Sequence, residues 1–170
     1  MPCVERGSRG EYVMQTRCYA TAAAFIAALV AAPIACAQAD QQHQVVRPGD
    51  LKWKDVPSLP QGAKVAVIEG DPNKEGFTTI RVKLPPNYKV PAHYHGTVER
   101  STIIAGTLHI GMGEKFDEKK MTPMPPGTVL LMPPKMPHFA STKGEVIFQL
   151  NVQGPWTVTY INPADDPRTK

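Results

Sequence analysis

The chain has 170 residues, a length typical of one domain, and its 19 lysines and arginines against 15 aspartates and glutamates give a formal net charge of +4. The basic residues are scattered, with one adjacent pair at Lys119 and Lys120, and no basic stripe with interleaved aromatic side chains occurs. We therefore expect no nucleic-acid partner.

The chain begins with a predicted secretory signal over residues 1–39. Arg17 gives a basic start, "ATAAAFIAALVAAPIA" is an apolar stretch, and Ala37-Gln38-Ala39 is a small-x-small cleavage site. Cleavage after Ala39 would remove the apolar stretch, so the protein would have no stable membrane anchor. It would then be periplasmic or secreted. The alternatives are an uncleaved membrane anchor and a lipid attached to Cys36. Translation from Met14 would give a signal of ordinary length.

All three cysteines precede the predicted cut, so the exported protein would make no disulfide. Residues 40–62 are polar and proline-bearing, and they predict an extended arm with at most one turn. Residues 164–170 predict an exposed tail. A single domain over residues 63–163 lies between them.

Short apolar or alternating runs separated by Gly, Pro and Asn fill that domain. They are "KVAVIEG", "GFTTIRVKL", "ERSTIIAG", "TLHIGMG", "TVLLMP", "EVIFQLNV" and "WTVTYIN". Each has the length and composition of a strand, and no stretch after residue 40 keeps a helical period. "GMGEKFDEKKM" predicts a short helical turn or a loop. The pattern favours an all-β sandwich or barrel.

Two histidines and a glutamate form an unusual cluster in "HYHGTVERSTIIAG". His93 and His95 are two residues apart, so on a strand they point to one face about 7 Å apart. That separation suits two imidazoles binding one metal ion. Glu99 is at the start of the next predicted strand, so its side chain can lie close to the two histidines. Gly106 is at the end of that strand, where the chain is expected to bend.

A second segment, "GTVLLMPPKMPHFA", begins at Gly127, turns at Pro133 and reaches His138. The order and spacing of the two segments resemble the two motifs of the cupin superfamily. The resemblance extends over residues 76–162, and "HIGMGEKFDE" and "GPWTVTYINPADDP" resemble a group of small exported bacterial single-domain cupins of uncharacterised activity.

Three positions depart from the cupin motifs. Asn87 and Lys135 occupy positions where glycine is usual, and Thr142 replaces a frequent asparagine. These are turn positions rather than ligand positions, and asparagine tolerates positive φ. The departures therefore leave the expected ligand set intact.

The resemblance implies a double-stranded β-helix, which is a jelly-roll barrel of two facing antiparallel sheets. It also implies one divalent metal ion (Mn, Fe, Zn or Ni) held by His93, His95, Glu99 and His138. Edge-to-edge pairing in cupins implies a homodimer.

The leading functional interpretation is an exported metal-dependent enzyme acting on a small polar molecule. Its chemistry would be dioxygenase-like with iron or manganese, or isomerase- or lyase-like with zinc or nickel, and Glu99 is the candidate base. The alternatives are a non-catalytic module that binds metal or a small ligand, and a barrel in which the metal is purely structural. An apolar pocket beyond the four ligands would favour the last.

Three further polar residues are candidates for lining the pocket. His109 lies three residues after Gly106 and could shuttle protons near neutral pH. Gln149 and Asn151 share one face of "VIFQLNV". The two tryptophans, Trp53 and Trp156, are expected to be packing residues.

Overall fold

The computed structural model describes residues 43–170. The predicted signal segment 1–39, its cleavage site, Met14 and Cys36 lie outside the described residues. Among residues 43–170, none of the helices has the length and apolar composition that a bilayer crossing requires.

Residues 43–170 form eleven strands joined by short turns and 3₁₀ helices. The strands are β1 Lys54–Asp55, β2 Lys64–Glu69, β3 Gly76–Leu84, β4 Lys89–Tyr94, β5 Glu99–Ala105, β6 Leu108–Met112, β7 Thr122–Met124, β8 Val129–Met132, β9 His138–Thr142, β10 Val146–Gly154 and β11 Thr159–Tyr160. All seven predicted runs contain a strand, although the last contributes only the two residues of β11. The helical turn expected near residue 118 is the 3₁₀ helix Glu118–Lys120.

The strands form two antiparallel sheets. One has the order β1-β2-β3-β10-β5-β8 and the other β11-β4-β9-β6-β7. Strands distant in sequence are neighbours, since β10 pairs with both β3 and β5, and β9 with both β4 and β6. The fold is the expected all-β jelly roll of the cupin type.

The core lies between the sheets because the long strands alternate in burial. On β10, Val146, Phe148, Leu150 and Val152 are buried, while the residues between them are partly or fully exposed. Successive side chains of a strand point to opposite faces, so this alternation places one face of β10 in the core. The opposite sheet contributes core residues such as Val90, Leu108, Ile110 and Ala140.

Part of the segment before β2 packs into the core. Val56 and Leu59 are buried, and β1 pairs with β2. The hydroxyl of Tyr160 donates a 2.8 Å hydrogen bond to the Ser58 carbonyl. After β11 the chain makes two 3₁₀ helices, and Arg168 donates to the Val158 carbonyl at 2.9 Å.

Two non-glycine residues adopt the left-handed backbone region, Asn87 with φ 56° and Lys135 with φ 60°. These are the positions at which the cupin motifs usually have glycine. The backbone at both positions therefore has the positive φ that glycine favours, although neither residue is glycine. Lys135 is held there by its N–H, which donates to the His95 carbonyl at 2.8 Å.

Candidate metal centre

Three strands bring the candidate ligands together inside the barrel. His93 lies near the end of β4 and His95 just beyond it, Glu99 begins β5, and His138 begins β9. His93 and His138 are directly opposite each other in the β4–β9 pair. All four side chains are buried.

The three imidazoles converge tightly. One ring nitrogen from each of His93, His95 and His138 lies within 4.8 Å of the others. The ring centroids of His93 and His138 are 4.3 Å apart, and that of His95 is 5.1 and 5.2 Å from those two. Three buried histidines in this arrangement can hold one metal ion.

Backbone carbonyls fix the orientation of all three rings. Nδ1 of His93 lies 2.7 Å from the Pro91 carbonyl oxygen, and Nδ1 of His138 lies 3.0 Å from that of Met136. Nδ1 of His95 lies 2.7 Å from the carbonyl oxygen of Thr157. A carbonyl can only accept, so each Nδ1 carries a hydrogen and Nε2 is the nitrogen of each ring that a metal ion could bind. Metal-binding histidines in proteins are commonly oriented in this way.

Glu99 lies at the edge of the histidine cluster. Its Oε2 is 2.5 Å from Nε2 of His95, and Ser101 Oγ donates a 2.6 Å hydrogen bond to its Oε1. Burial alone would raise the pKa of Glu99, but the charge of His95 and these hydrogen bonds lower it to about 2. The carboxyl group is therefore ionised at neutral pH and is a weak base. These properties suit a residue that binds a metal cation better than one that accepts a proton from a substrate.

The histidines differ in their affinity for a proton. Burial lowers the pKa of His93 to about 3, helped by repulsion from the other two imidazoles. Burial also lowers the pKa of His138. Burial acts on His95 in the same sense, but attraction to Glu99 outweighs it and raises the pKa. Without a metal ion, a proton on Nε2 of His95 satisfies the contact with Glu99.

The four residues border an inner cavity of about 40 Å³. That is room for a few atoms, since one water needs roughly 10–15 Å³ measured in this way. Apart from the three histidines, Glu99 and Ser101, the lining is apolar. The apolar residues are Leu59, Leu84, Val90, Leu108, Ile110, Leu130, Met132, Ala140, Phe148, Leu150 and Trp156.

The three additional candidates for pocket lining lie elsewhere, which corrects that prediction. On β10 it is Phe148 and Leu150 that face the cavity, so Gln149 and Asn151 point to the outside of the sheet. There Gln149 accepts from Arg81 at 3.4 Å, and Asn151 donates to Thr79 at 2.9 Å.

His109 points to the outer face of the other sheet, for the same reason of strand alternation. It borders a surface groove there, together with Lys89, Ser141 and other residues. The prediction that His109 shuttles protons at the metal centre is therefore wrong, because its side chain lies on the other side of the sheet.

The sequence interpretation overlooked two residues at the centre. Ser101 follows Glu99 by two positions on a strand, so the same-face rule applied to His93 and His95 would have found it. Trp156 was expected only to pack. Its ring stacks on that of His95, with centroids 6.2 Å apart and planes 22° apart. No local signal in the sequence indicates that contact.

The family described as the ChrR cupin-like domain matches residues 41–153, more than half of the chain. The chain belongs to this cupin family. The match begins before β1 and ends within β10, so it includes every candidate metal ligand. No significant match to a curated protein was found.

Solved structures support the cupin fold at low sequence identity. The polyketide cyclase RemF from Streptomyces resistomycificus has a TM-score of 0.62 and 18% identity, covering 75% of this chain and 91% of its own. A putative acetylacetone dioxygenase from Methylibium petroleiphilum has a TM-score of 0.56 and 15% identity, covering 74% and 85%. An RmlC-like cupin from Shewanella frigidimarina has a TM-score of 0.51 and 11% identity, covering 66% and 93%. Identities this low show the fold alone.

The residues present fit the divalent ion that this cupin fold implies. Three imidazoles anchored through Nδ1 and an ionised carboxylate form a nitrogen and oxygen donor set. Such a set suits zinc, iron, nickel or manganese and does not distinguish between them.

Proposed function

We propose that this cupin is a metal-dependent enzyme that acts on a small molecule with an apolar body and one oxygen-bearing group. The observation that carries the proposal is the orientation of the three histidines. Each donates from Nδ1 to a backbone carbonyl, which leaves Nε2 of each ring available to a metal ion beside the inner cavity.

In this proposal His93, His95 and His138 hold the ion, and Glu99 is the fourth ligand. Ser101 orients the Glu99 carboxylate by donating to Oε1. A divalent ion bound here would supply polarisation of a substrate oxygen, with oxygen chemistry added for iron or manganese. Because Glu99 is already ionised and poorly basic, we assign it to holding the ion rather than to accepting a substrate proton.

The lining of the inner cavity favours a less polar substrate than the sequence predicts. A small polar molecule would need polar partners beyond the ligands, and Ser101 is already bonded to Glu99. The remaining walls are apolar. An apolar substrate body with a single chelating group fits these walls better. By their names, two of the structural neighbours are a polyketide cyclase and a putative acetylacetone dioxygenase, so cupin folds of this shape are compatible with such substrates.

The second candidate function is a non-catalytic module in which the metal ion stabilises the barrel. The small, apolar inner cavity favours it, because a catalytic site usually offers more room and several polar groups. The two functions share the metal ligands and differ in whether a bound substrate is converted.

Loading the full chain with Fe²⁺, Mn²⁺, Zn²⁺ or Ni²⁺ and adding acetylacetone tests the proposal. Metal content is measured by elemental analysis, and conversion by loss of the diketone and by oxygen consumption. Conversion by wild type and its loss in His138→Ala would support the enzyme. Metal binding without conversion of this or related diketones would favour the module, and a chain that binds none of the ions would refute both.

We also propose that the protein is exported, on the strength of residues 1–39, and that it pairs as a homodimer, as its cupin family implies. Light scattering of the purified chain tests the second of these. Cupin relatives bind small molecules, and we propose the same kind of partner here, since the scattered basic residues do not favour nucleic acid.

A further inference from the structure

A second, larger pocket lies against the inner cavity. It is an outer groove of about 430 Å³ formed around β1, β2 and the turn that follows β2. Its lining residues are Lys54, Asp55, Val56, Pro57, Ser58, Val65, Val67, Gly70, Asp71, Pro72, Asn73 and Trp156. Trp156 borders both the outer groove and the inner cavity, so its side chain forms a wall that the two share.

The two volumes suit different parts of one ligand. Sites for small molecules and cofactors usually measure roughly 300–1,000 Å³. The outer groove is of that size, while the inner cavity of about 40 Å³ has room for a few atoms only. The metal centre can therefore accept a chelating head group, and the rest of the molecule needs another place.

Trp156 is held in a way that permits movement. Its indole N–H is buried and has no hydrogen-bond partner among residues 43–170, and the residue is only half-buried. Turning the ring therefore breaks no hydrogen bond and lets the N–H reach water or a ligand. The backbone around it is fixed, since its own N–H donates to the Pro72 carbonyl at 2.8 Å.

The outer groove favours an occupant with an apolar body. Val56, Val65 and Val67 with two prolines supply its apolar surface. Its two carboxylates already have partners, since Asp55 pairs with Lys64 at 2.6 Å and Asp71 with Lys74 at 3.3 Å. Lys54 is the one charged lining residue with no ion-pair partner among residues 43–170, so the rim adds a single positive charge to this apolar surface.

We propose that the outer groove binds the apolar body of the substrate and that Trp156 turns aside to admit its chelating head to the metal centre. This rests on the proposed function, because the head group is taken to bind the metal ion. The ligand class is an elongated molecule with a hydrocarbon or aromatic body of several carbons and one small oxygen-bearing chelating end.

Two hydroxamates that share a head group and differ in their tail test this proposal. Acetohydroxamate has a methyl tail and octanohydroxamate has a seven-carbon chain. Their affinities for the Ni²⁺-loaded full chain are measured by calorimetry. We expect octanohydroxamate to bind at least tenfold more tightly, because its chain adds buried apolar area in the outer groove.

Val67→Lys should abolish this tail-dependent gain while leaving the acetohydroxamate affinity unchanged. Val67 is 46% exposed, so the substitution is tolerated by the fold. Val129→Lys is the matched control, since Val129 is a 59% exposed valine of the same sheet outside the groove. Equal affinities for the two hydroxamates, or an equal gain in Val67→Lys and Val129→Lys, would overturn the proposal.

Movement of Trp156 has its own readout. Trp53→Phe leaves Trp156 as the single tryptophan, and octanohydroxamate should then change its fluorescence emission. An unchanged spectrum at saturation would overturn the gating role. Failure of the proposed function is recognised separately, by elemental analysis that finds no bound nickel. In that case, the two hydroxamates are tested on the metal-free chain. Tighter binding of octanohydroxamate that is lost in Val67→Lys would still support binding in the outer groove. No such difference would overturn the proposal.

Discussion

Nε2 of His95 lies 2.5 Å from Oε2 of Glu99, and both side chains are buried. Because Nδ1 of His95 already donates to the Thr157 carbonyl, Nε2 can meet the carboxylate only through a proton or a cation. The same nitrogen that a metal ion would use is thus the one that a proton occupies in its absence.

Metal binding should therefore release about one proton and weaken on acidification. The pKa of His95 is raised by its attraction to Glu99, so its protonated form competes with the metal ion at higher pH than an ordinary imidazole would. His93 and His138 have lowered pKa values and compete only at lower pH. We expect at least about tenfold weaker affinity at pH 5.0 than at pH 7.5 by calorimetric titration. Equal affinity at both values would count against a three-histidine site.

Removing His138 should abolish stabilisation by metal. One ion would join the β4–β5 segment to β9, so at a thousandfold excess over Kd it stabilises the fold by about 4 kcal/mol. For a domain of this size that raises the melting temperature on the order of 10 °C. His138→Ala should lose this rise, and His109→Ala, on the outer face of the barrel, should keep it. A His138→Ala chain that responds to metal as wild type does would show that His138 is not a ligand.

Ser101→Ala should weaken metal affinity without removing a ligand. Ser101 fixes the carboxylate of Glu99 by a 2.6 Å hydrogen bond, and loss of such outer partners commonly costs roughly 10–100-fold in affinity. Thr102→Ala is the control, because Thr102 is the next residue of β5 and points to the opposite face. Competition titrations against a metal indicator measure both variants, and identical affinities would remove Ser101 from the centre.

Lys135→Gly should stabilise the protein modestly. Lys135 has φ 60°, a conformation that costs an L-residue roughly 1–2 kcal/mol, and the greater freedom of glycine in the unfolded chain offsets part of the gain. We expect an increase of up to about 1 kcal/mol in the free energy of unfolding, measured in urea. Asn87→Gly should change it less, because asparagine tolerates this region better. A clear loss of stability in Lys135→Gly would contradict the strain assigned to Lys135.

The exported protein should begin at Asp40. The apolar stretch and Ala37-Gln38-Ala39 predict cleavage after Ala39. Intact mass measurement of protein recovered from the periplasm or medium checks this. A mature chain that starts at Cys36 and carries lipid would replace this prediction with the lipoprotein alternative.

Local sequence rules predicted seven of the eleven strands in residues 43–170 and grouped three of the four candidate metal ligands. Alternating runs such as "FTTIRVKL" predict β3 because side-chain direction on a strand depends only on neighbours in the chain. The spacing of His93, His95 and Glu99 works in the same way, since all three lie on one short β4–β5 segment. His138 lies some forty residues further on, and spacing in the sequence alone does not place it near the other three residues. The resemblance to the second cupin motif predicted it as a ligand.

Only the tertiary structure decided which face of each strand lies in the core. Gln149 and Asn151 alternate with Phe148 and Leu150 in either orientation, and β10 buries the apolar pair because that face of its sheet packs against the opposite sheet. Trp156 reaches His95 through a pairing of β11 with β4 that spans more than sixty residues. Contacts of this kind depend on how distant strands pack, and packing is set by the whole barrel rather than by any stretch of its sequence.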